Sequence, residues 1–327
     1  MTIMRYLYIF LVAAVITLSG CGKSPPEPSA TYAEPTSTPA SYEEALPRTI
    51  EAATSAKEAI AIFENQLPLL DADGVDTMFM ALEAFYRADS EKMEASIRDA
   101  NDEGVFELFQ NPVDDAQIAT IADEGLRSVV KGAIEGKYKF NAGEGVLEPI
   151  VDYRALQAYS GYLSPAMVDY VSLMATESDE PSLADGSIVI PWEQLGERAL
   201  KAENYLLEHS DSPRFDLAKS VLYRNLLGFL NGSSNDGVFE NRRFAPENAE
   251  AFQRIIEAYG NSFTARVTEE YRDEVNRLAK ELPAAEESYN DPIYEKITKL
   301  LENIEALIDA EFVSRGVESG SAASPSA

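Results

Sequence analysis

Ala202-Glu-Asn-Tyr-Leu-Leu-Glu-His-Ser-Asp-Ser212 and Phe252-Gln-Arg-Ile-Ile-Glu-Ala-Tyr-Gly-Asn-Ser262 align without a gap. Each is an apolar helix end closed by a polar turn and a serine, and each is followed by a second helical pattern. The chain therefore carries a repeated helix–turn–helix pair. Two helices that cannot bury their apolar faces alone stack against the next pair. The expected fold is mainly α, a helical-hairpin or bundle body.

The flanking sequence agrees with this reading. Ser164-Pro165, Ile190-Pro191, Ser212-Pro213, Ala245-Pro246 and Asp291-Pro292 repeat one device, a proline at the first helical position, where its missing N–H costs nothing. Upstream, Ile50, Ala53, Lys57, Ile60, Ile62 and Phe63 begin a first amphipathic helix that ends before Pro68. Asp73-Gly74 opens a second, with Asp73 as its cap and Met78, Leu82 and Phe85 on one face. A third runs from about Glu91 to Phe109 and stops at Asn111-Pro112. A fourth spans Asp114 to Ile134. The last helix lines up Ile293, Ile297, Leu300, Ile304, Leu307 and Phe312 in one stripe. Only around 138–147 does the pattern change: Tyr138-Lys-Phe140, a glycine-containing turn and Val146-Leu147 read as one small β-hairpin. The body thus divides into an N-terminal helical region, 42–136, and a C-terminal helical region, 137–313, that holds the repeat.

The hairpin repeat is similar to the tetratricopeptide-like hairpins of bacterial envelope lipoproteins, although its spacing is longer than that family's roughly 34 residues. This resemblance implies a protein-binding scaffold. Gly136-Lys-Tyr-Lys-Phe140, Glu144-Gly145, Pro149, Asp152-Tyr153, Glu177-Ser178, Asp185-Gly186 and Trp192 resemble the pattern of uncharacterised helical lipoproteins of bacterial envelopes. That likeness implies no activity.

The N-terminus reads as an address. Arg5 is followed by an uncharged, mostly apolar run from Tyr6 to Thr17 and then by Leu18-Ser19-Gly20-Cys21. A basic start and a short apolar core make a secretory signal, and the run is shorter than the roughly 20 residues a membrane-spanning helix needs. The tetrad resembles the lipobox of bacterial lipoproteins. In that family the cysteine thiol receives a diacylglycerol and the chain is cut just before it, which implies residues 1–20 as signal peptide and Cys21 as the lipidated N-terminus. Acyl chains give stable anchoring at about 0.8 kcal/mol per buried CH₂. Residues 21–41, rich in Pro, Ser and Thr, read as a flexible linker, and 314–327 as a disordered tail. The expected place is extracytoplasmic, with the outer membrane favoured in a Gram-negative cell because Gly22, not Asp, follows the cysteine.

Composition excludes several functions. The net charge of −29, from 27 Lys and Arg against 56 Asp and Glu, argues against nucleic-acid binding. One cysteine allows no disulfide within the chain, and one cysteine with one histidine cannot build the usual Cys/His zinc site. No phosphate-binding glycine loop is present. Asp99 to Gln110 partly mimics a calcium loop but ends in Gln110, which cannot supply a bidentate carboxylate. Ser128-Val-Val-Lys131 and Ser233-Ser-Asn235 echo the penicillin-interacting enzymes without their Lys-Thr-Gly. His209 lies in the turn after an apolar helix, where an imidazolium suits the helix C-terminus.

The expectation is a lipid-anchored, non-catalytic binding or scaffold protein of the envelope with no cofactor. Its partners would be the membrane, through acylated Cys21, and an envelope protein. The alternative is an envelope hydrolase or a cation- or ligand-binding protein using carboxylates near residues 144–185. Glu144, Asp152, Glu177 and Asp185 are the candidates, since paired carboxylates can cleave glycosides or hold a hard cation.

Overall fold

The computed structural model describes residues 42–99, 115–143, 146–284 and 291–314. The signal segment 1–20, the linker, Cys21, Glu144, the turn at Asn111-Pro112, most of the calcium-loop mimic and the tail after Ser314 lie outside the described residues.

The fold is mainly α with small antiparallel strand pairs. Helices α1 (Tyr42–Glu51), α2 (Ala56–Gln66) and α3 (Ala72–Asp99) come first. A single turn α4 (Asp115–Ile118) and α5 (Glu124–Glu135) lead into the hairpin β1 (Tyr138–Gly143) and β2 (Val146–Val151). Next come the short α6 (Tyr153–Leu156), a 3₁₀ turn (Gln157–Tyr159) and α7 (Pro165–Asp179). The two-residue strands β3 (Leu183–Ala184) and β4 (Ser187–Ile188) precede the first repeat hairpin, α8 (Trp192–Glu208) and α9 (Phe215–Asn231). Strands β5 (Phe239–Glu240) and β6 (Arg243–Phe244) precede the second, α10 (Pro246–Tyr259) and α11 (Phe263–Glu281). Helices α12 (Pro292–Glu302) and α13 (Ile304–Ser314) close the body.

Capping chemistry sets many of the starts. Ser55, Asp123, Asp152, Ser164, Ser262 and Asp291 each accept a backbone N–H from the first turn with a side-chain oxygen, a contact worth about 1 kcal/mol each. Pro165, Pro246 and Pro292 take the first helical position as expected. Pro191 instead stands one place earlier, as the cap itself, and Pro213 precedes the cap Arg214.

The caps also correct the expected boundaries. The first helix is two, because Ser55 caps a new start and Thr54 donates both its N–H and its hydroxyl to the Glu58 carboxylate. The expected second helix instead runs on from Ala72 to Asp99, through Ser90-Glu-Lys92. Its cap is Asp71, which accepts the Gly74 N–H at 3.0 Å, and Asp73 lies within the first turn. The fourth breaks before Asp123. The last breaks at Asn303, whose N–H bonds back to Leu300 and Leu301. That break rotates the apolar stripe, so Leu301 and Ile308 are buried while Leu307 is 41% exposed.

The hairpin near 138–147 is present and runs on to Val151, pairing Tyr138 with Val151 and Gly143 with Val146. It docks through Tyr138, whose hydroxyl donates to Asp89 at 3.3 Å, and through Tyr86, whose hydroxyl donates to the Gly136 carbonyl at 2.7 Å. Gly136 is required there: a Cβ would lie 2.4 Å from that of Ala56 on α2.

The repeat is two stacked helical hairpins. Helix α8 packs against α9 and α10, and α10 packs against α11. Phe229 and Phe252 meet edge to face at 4.9 Å, and Phe244 meets Phe252 at 5.3 Å. Fully burying such a side chain contributes about 1.5–3 kcal/mol. Glu203 of α8, itself buried, reaches across and accepts the N–H groups of Phe263 and Thr264 at 2.7 and 2.9 Å. A carboxylate from the first hairpin thereby caps the second helix of the next. One buried cluster runs from Leu46 to Phe312, so the regions 42–136 and 137–313 share a core. A smaller cluster of Ile97, Ile118, Ile121, Leu126, Val130 and Leu147 lies between α3, α4, α5 and the hairpin.

Candidate functional site

Two tight turns and one loop build a cleft at the start of α8. Asp185 and Gly186 join β3 to β4 with φ of 50° and 73°, and Asn241 and Arg242 join β5 to β6 with φ of 48° and 62°. Positive φ at both central residues is the two-residue hairpin geometry that Asp-Gly favours. The loop after α9 starts at Gly232, with φ of 82°, where a Cβ would lie 1.9 Å from the Asp236 carbonyl oxygen. Loop and hairpin are stitched together. The Asn235 side-chain amide donates to the Asp185 carbonyl at 2.9 Å, and the Ser234 hydroxyl donates to that of Gly186 at 3.2 Å. The Ile188 N–H donates to the Asp236 carboxylate at 2.8 Å, as does the Ser233 hydroxyl at 3.0 Å. These donors, the Ile188 N–H foremost, hold the Asp236 carboxyl below its ordinary value.

Between these segments and the first turns of α8 and α10 lies an open cleft of about 610 Å³, within the range of ligand-sized sites. Trp192, the chain's single tryptophan, lines it beside Ile190 and Val189, and Val189 is 56% exposed. Glu193, Asp236, Glu240 and Glu247 line the same cleft. Among the described residues its one cation is Arg254, which is already engaged: Nε lies 2.6 Å from Glu193, and Nη1 lies 3.7 Å from Glu250. Four carboxylates against one paired guanidinium leave a negative surface, and an indole is the best aromatic face for a cation. The arrangement suits a cationic group with an apolar stem.

The sequence candidates fall elsewhere or serve the scaffold. Asp152 caps α6, accepting the Ala155 N–H at 3.0 Å. Glu177 accepts from Asn225 at 3.2 Å and lies 3.8 Å from the buried Arg198 guanidinium. Asp185 is the first residue of the β3–β4 turn, and its carbonyl is held by Asn235. Among the described residues these three form no cluster with metal-ligand spacing. Asp185 alone touches the structure that frames the cleft. Ser128 and Lys131 sit on α5 beside a shallow depression next to Ile118 and Glu124. Ser233 and Asn235 are turn builders, and His209 ends α8 as expected.

A second polar group, unforeseen in the sequence, lies inside the body. Glu83 of α3 accepts the Tyr153 and Tyr170 hydroxyls at 2.6 and 2.8 Å and pairs with Arg214 at the start of α9. The Arg214 guanidinium also lies over the Tyr170 ring, 5.7 Å from its centroid. Burial first, and the Glu83 charge second, push both phenols well above their ordinary values, so they remain neutral donors. The visible signal was Glu83 itself, an acid among Phe79, Leu82 and Tyr86 on the apolar face of α3. Nothing local marked Arg214 as its partner. No helix among the described residues is long and apolar enough to cross a membrane. Compared with known proteins, the chain matches no protein-family model, no curated protein and no solved structure.

Proposed function

We propose that this chain is a lipid-anchored binding protein of the bacterial envelope, without catalytic activity, which receives a cationic segment of a partner protein in the cleft around Trp192. One observation carries the reading: among the described residues, four carboxylates line a tryptophan-bearing cleft in which the one cation, Arg254, is already paired. The stitched turns support it, since a site held on fixed loops loses little freedom on binding. The Leu-Ser-Gly-Cys21 tetrad and the linker support the anchor. The carboxylate reading at 144–185 has weaker support, because Asp152 serves as a cap and Glu177 is engaged inside the body.

Trp192 is the only tryptophan, so its fluorescence reports the cleft directly. Titration with a short Lys/Arg-rich peptide is expected to give a saturable change that weakens with salt. It should weaken by about tenfold or more in Glu240→Gln/Glu247→Gln, a loss of about 1.4 kcal/mol. An acidic peptide of equal length that gives the same response would overturn the reading. The anchor is tested separately: Cys21→Ser should release the protein from the membrane fraction, and continued tight association would remove Cys21 from that role.

A further inference from the structure

We infer that Asp169, Glu208 and His209 form a binding site for a divalent transition-metal ion of the zinc class. Glu208 is the last residue of α8 and His209 its C-cap, while Asp169 projects from the neighbouring α7. One ligand atom from each lies within 4.8 Å of the others, and the His209 Nε2 is 2.8 Å from the Asp169 Oδ2. Ligands at about 2.0–2.2 Å from zinc stand roughly 3–4 Å apart, so small side-chain rotations close the set.

The three donors divide into one fixed and two adjustable groups. The His209 ring packs on Tyr205 at 5.0 Å, and the Tyr205 hydroxyl is tied to Ser212 at 2.6 Å. The imidazole is therefore pre-oriented toward Asp169. Both carboxylates are exposed, and Asp169 already meets the His209 ring. Two carboxylates and a neutral imidazole carry the charge that a divalent ion cancels. The site lies at a helix C-terminus, the end that favours cations, on a chain of net charge −29. The nearest amine on α8, Lys201, is held by the Ser172 carbonyl at 3.0 Å and the Thr176 hydroxyl at 2.8 Å. An imidazole among the donors selects zinc, nickel or copper over calcium and magnesium. Nε2 takes the ion as a neutral imidazole nitrogen, with the ring's one remaining hydrogen on Nδ1, and gives up its hydrogen bond to Asp169 in exchange. Three protein ligands leave a position open to water.

His209 is the only histidine, so one imidazole resonance reports the site. The experiment uses the full chain carrying Cys21→Ser, so that no thiol competes. Substoichiometric Co²⁺ is expected to broaden or shift the His209 signal before others. Calorimetric Zn²⁺ titration is expected to show one equivalent whose affinity falls at least tenfold in His209→Gln and in Glu208→Gln. A hundredfold excess of Ca²⁺ should not displace it. The exposed Glu208 variant keeps the test valid if His209→Gln perturbs the turn. Zinc affinity unchanged in both variants, or a histidine signal indifferent to Co²⁺, would overturn the site. This inference stands apart from the cleft around Trp192, which none of these residues lines.

Discussion

Removing the Glu83 carboxylate tests whether the interior is clasped by charge. Glu83→Ala leaves the buried Arg214 guanidinium, which lies over the Tyr170 ring, without its paired carboxylate. Breaking one partner of a buried pair costs about 3–5 kcal/mol. The Tyr153 and Tyr170 hydroxyls lose their acceptor as well, and an unsatisfied buried donor costs about 1–3 kcal/mol each, less where water enters the vacated space. The expected loss is about 4 kcal/mol or more, a large share of the 5–15 kcal/mol typical of a folded domain. At roughly 2–4 °C per kcal/mol, the melting temperature should fall by about 8–16 °C. Urea denaturation followed by circular dichroism measures it. Glu83→Gln separates the two parts, because it keeps an acceptor for the phenols but not the charge. The double variant Glu83→Leu/Arg214→Met should recover much of the loss, since an apolar pair replaces an ionic one. A loss below about 1 kcal/mol in Glu83→Ala, or strictly additive effects in the double variant, would refute the clasp.

Two further outcomes follow from named contacts. Glu203→Ala strips the acceptor from the Phe263 and Thr264 N–H groups and should cost about 2–4 kcal/mol, with Glu203→Gln in between; hydrogen exchange at those two amides should accelerate first. Asp179 accepts Lys139 at 2.8 Å and Arg154 at 2.7 Å; burial alone would raise its pKa, but these bonds outweigh burial and lower it. With the folded value below the unfolded one, its contribution is complete above about pH 4 and disappears as pH falls through the lowered value. The stability gap between the wild type and Asp179→Asn should therefore shrink on acidification, and a gap constant from pH 7 to pH 3 would contradict it.

What the sequence reveals about this fold is governed by range. Caps and prolines act within one turn, so Ser164-Pro165 and Asp291-Pro292 mark their helices directly. The repeat at 202–212 and 252–262 yields its two hairpins for the same reason. Breaks at Ser55, Asp123 and Asn303 were hidden because apolar spacing continues across them, and one polar residue decides whether the helix restarts. Asp185-Gly186 fits a hairpin turn and a ligand position equally well in the sequence, since an acid in an irregular segment suits both, and the structure makes it the turn. The cleft was not legible. Its carboxylates come from α8, the loop after α9, β5 and α10, and only packing brings Glu193, Asp236 and Glu240 to one surface.

Helix α8 relates the two candidate sites to each other. Trp192 and Glu193 open it beside the cleft, and Glu208 with His209 ends it. At 1.5 Å per residue, its 17 residues separate the two ends by about 25 Å. That is some three Debye lengths at physiological salt, about 8 Å each, so charge placed at one end is screened from the other. Coupling would then require α8 to shift as a body. The helix is held against that: Gly196 packs directly on Ile255 and Phe229, where an added Cβ would stand 2.8 and 3.1 Å from them, and Glu203 is fixed to the start of α11. Two sites on one clamped strut should therefore bind independently. Saturating Zn²⁺ should leave the affinity of a cationic peptide for the Trp192 cleft unchanged within about twofold, or about 0.4 kcal/mol. A larger change at physiological salt would mean that α8 moves, and the Gly196 and Glu203 contacts would then have to differ between the two liganded states.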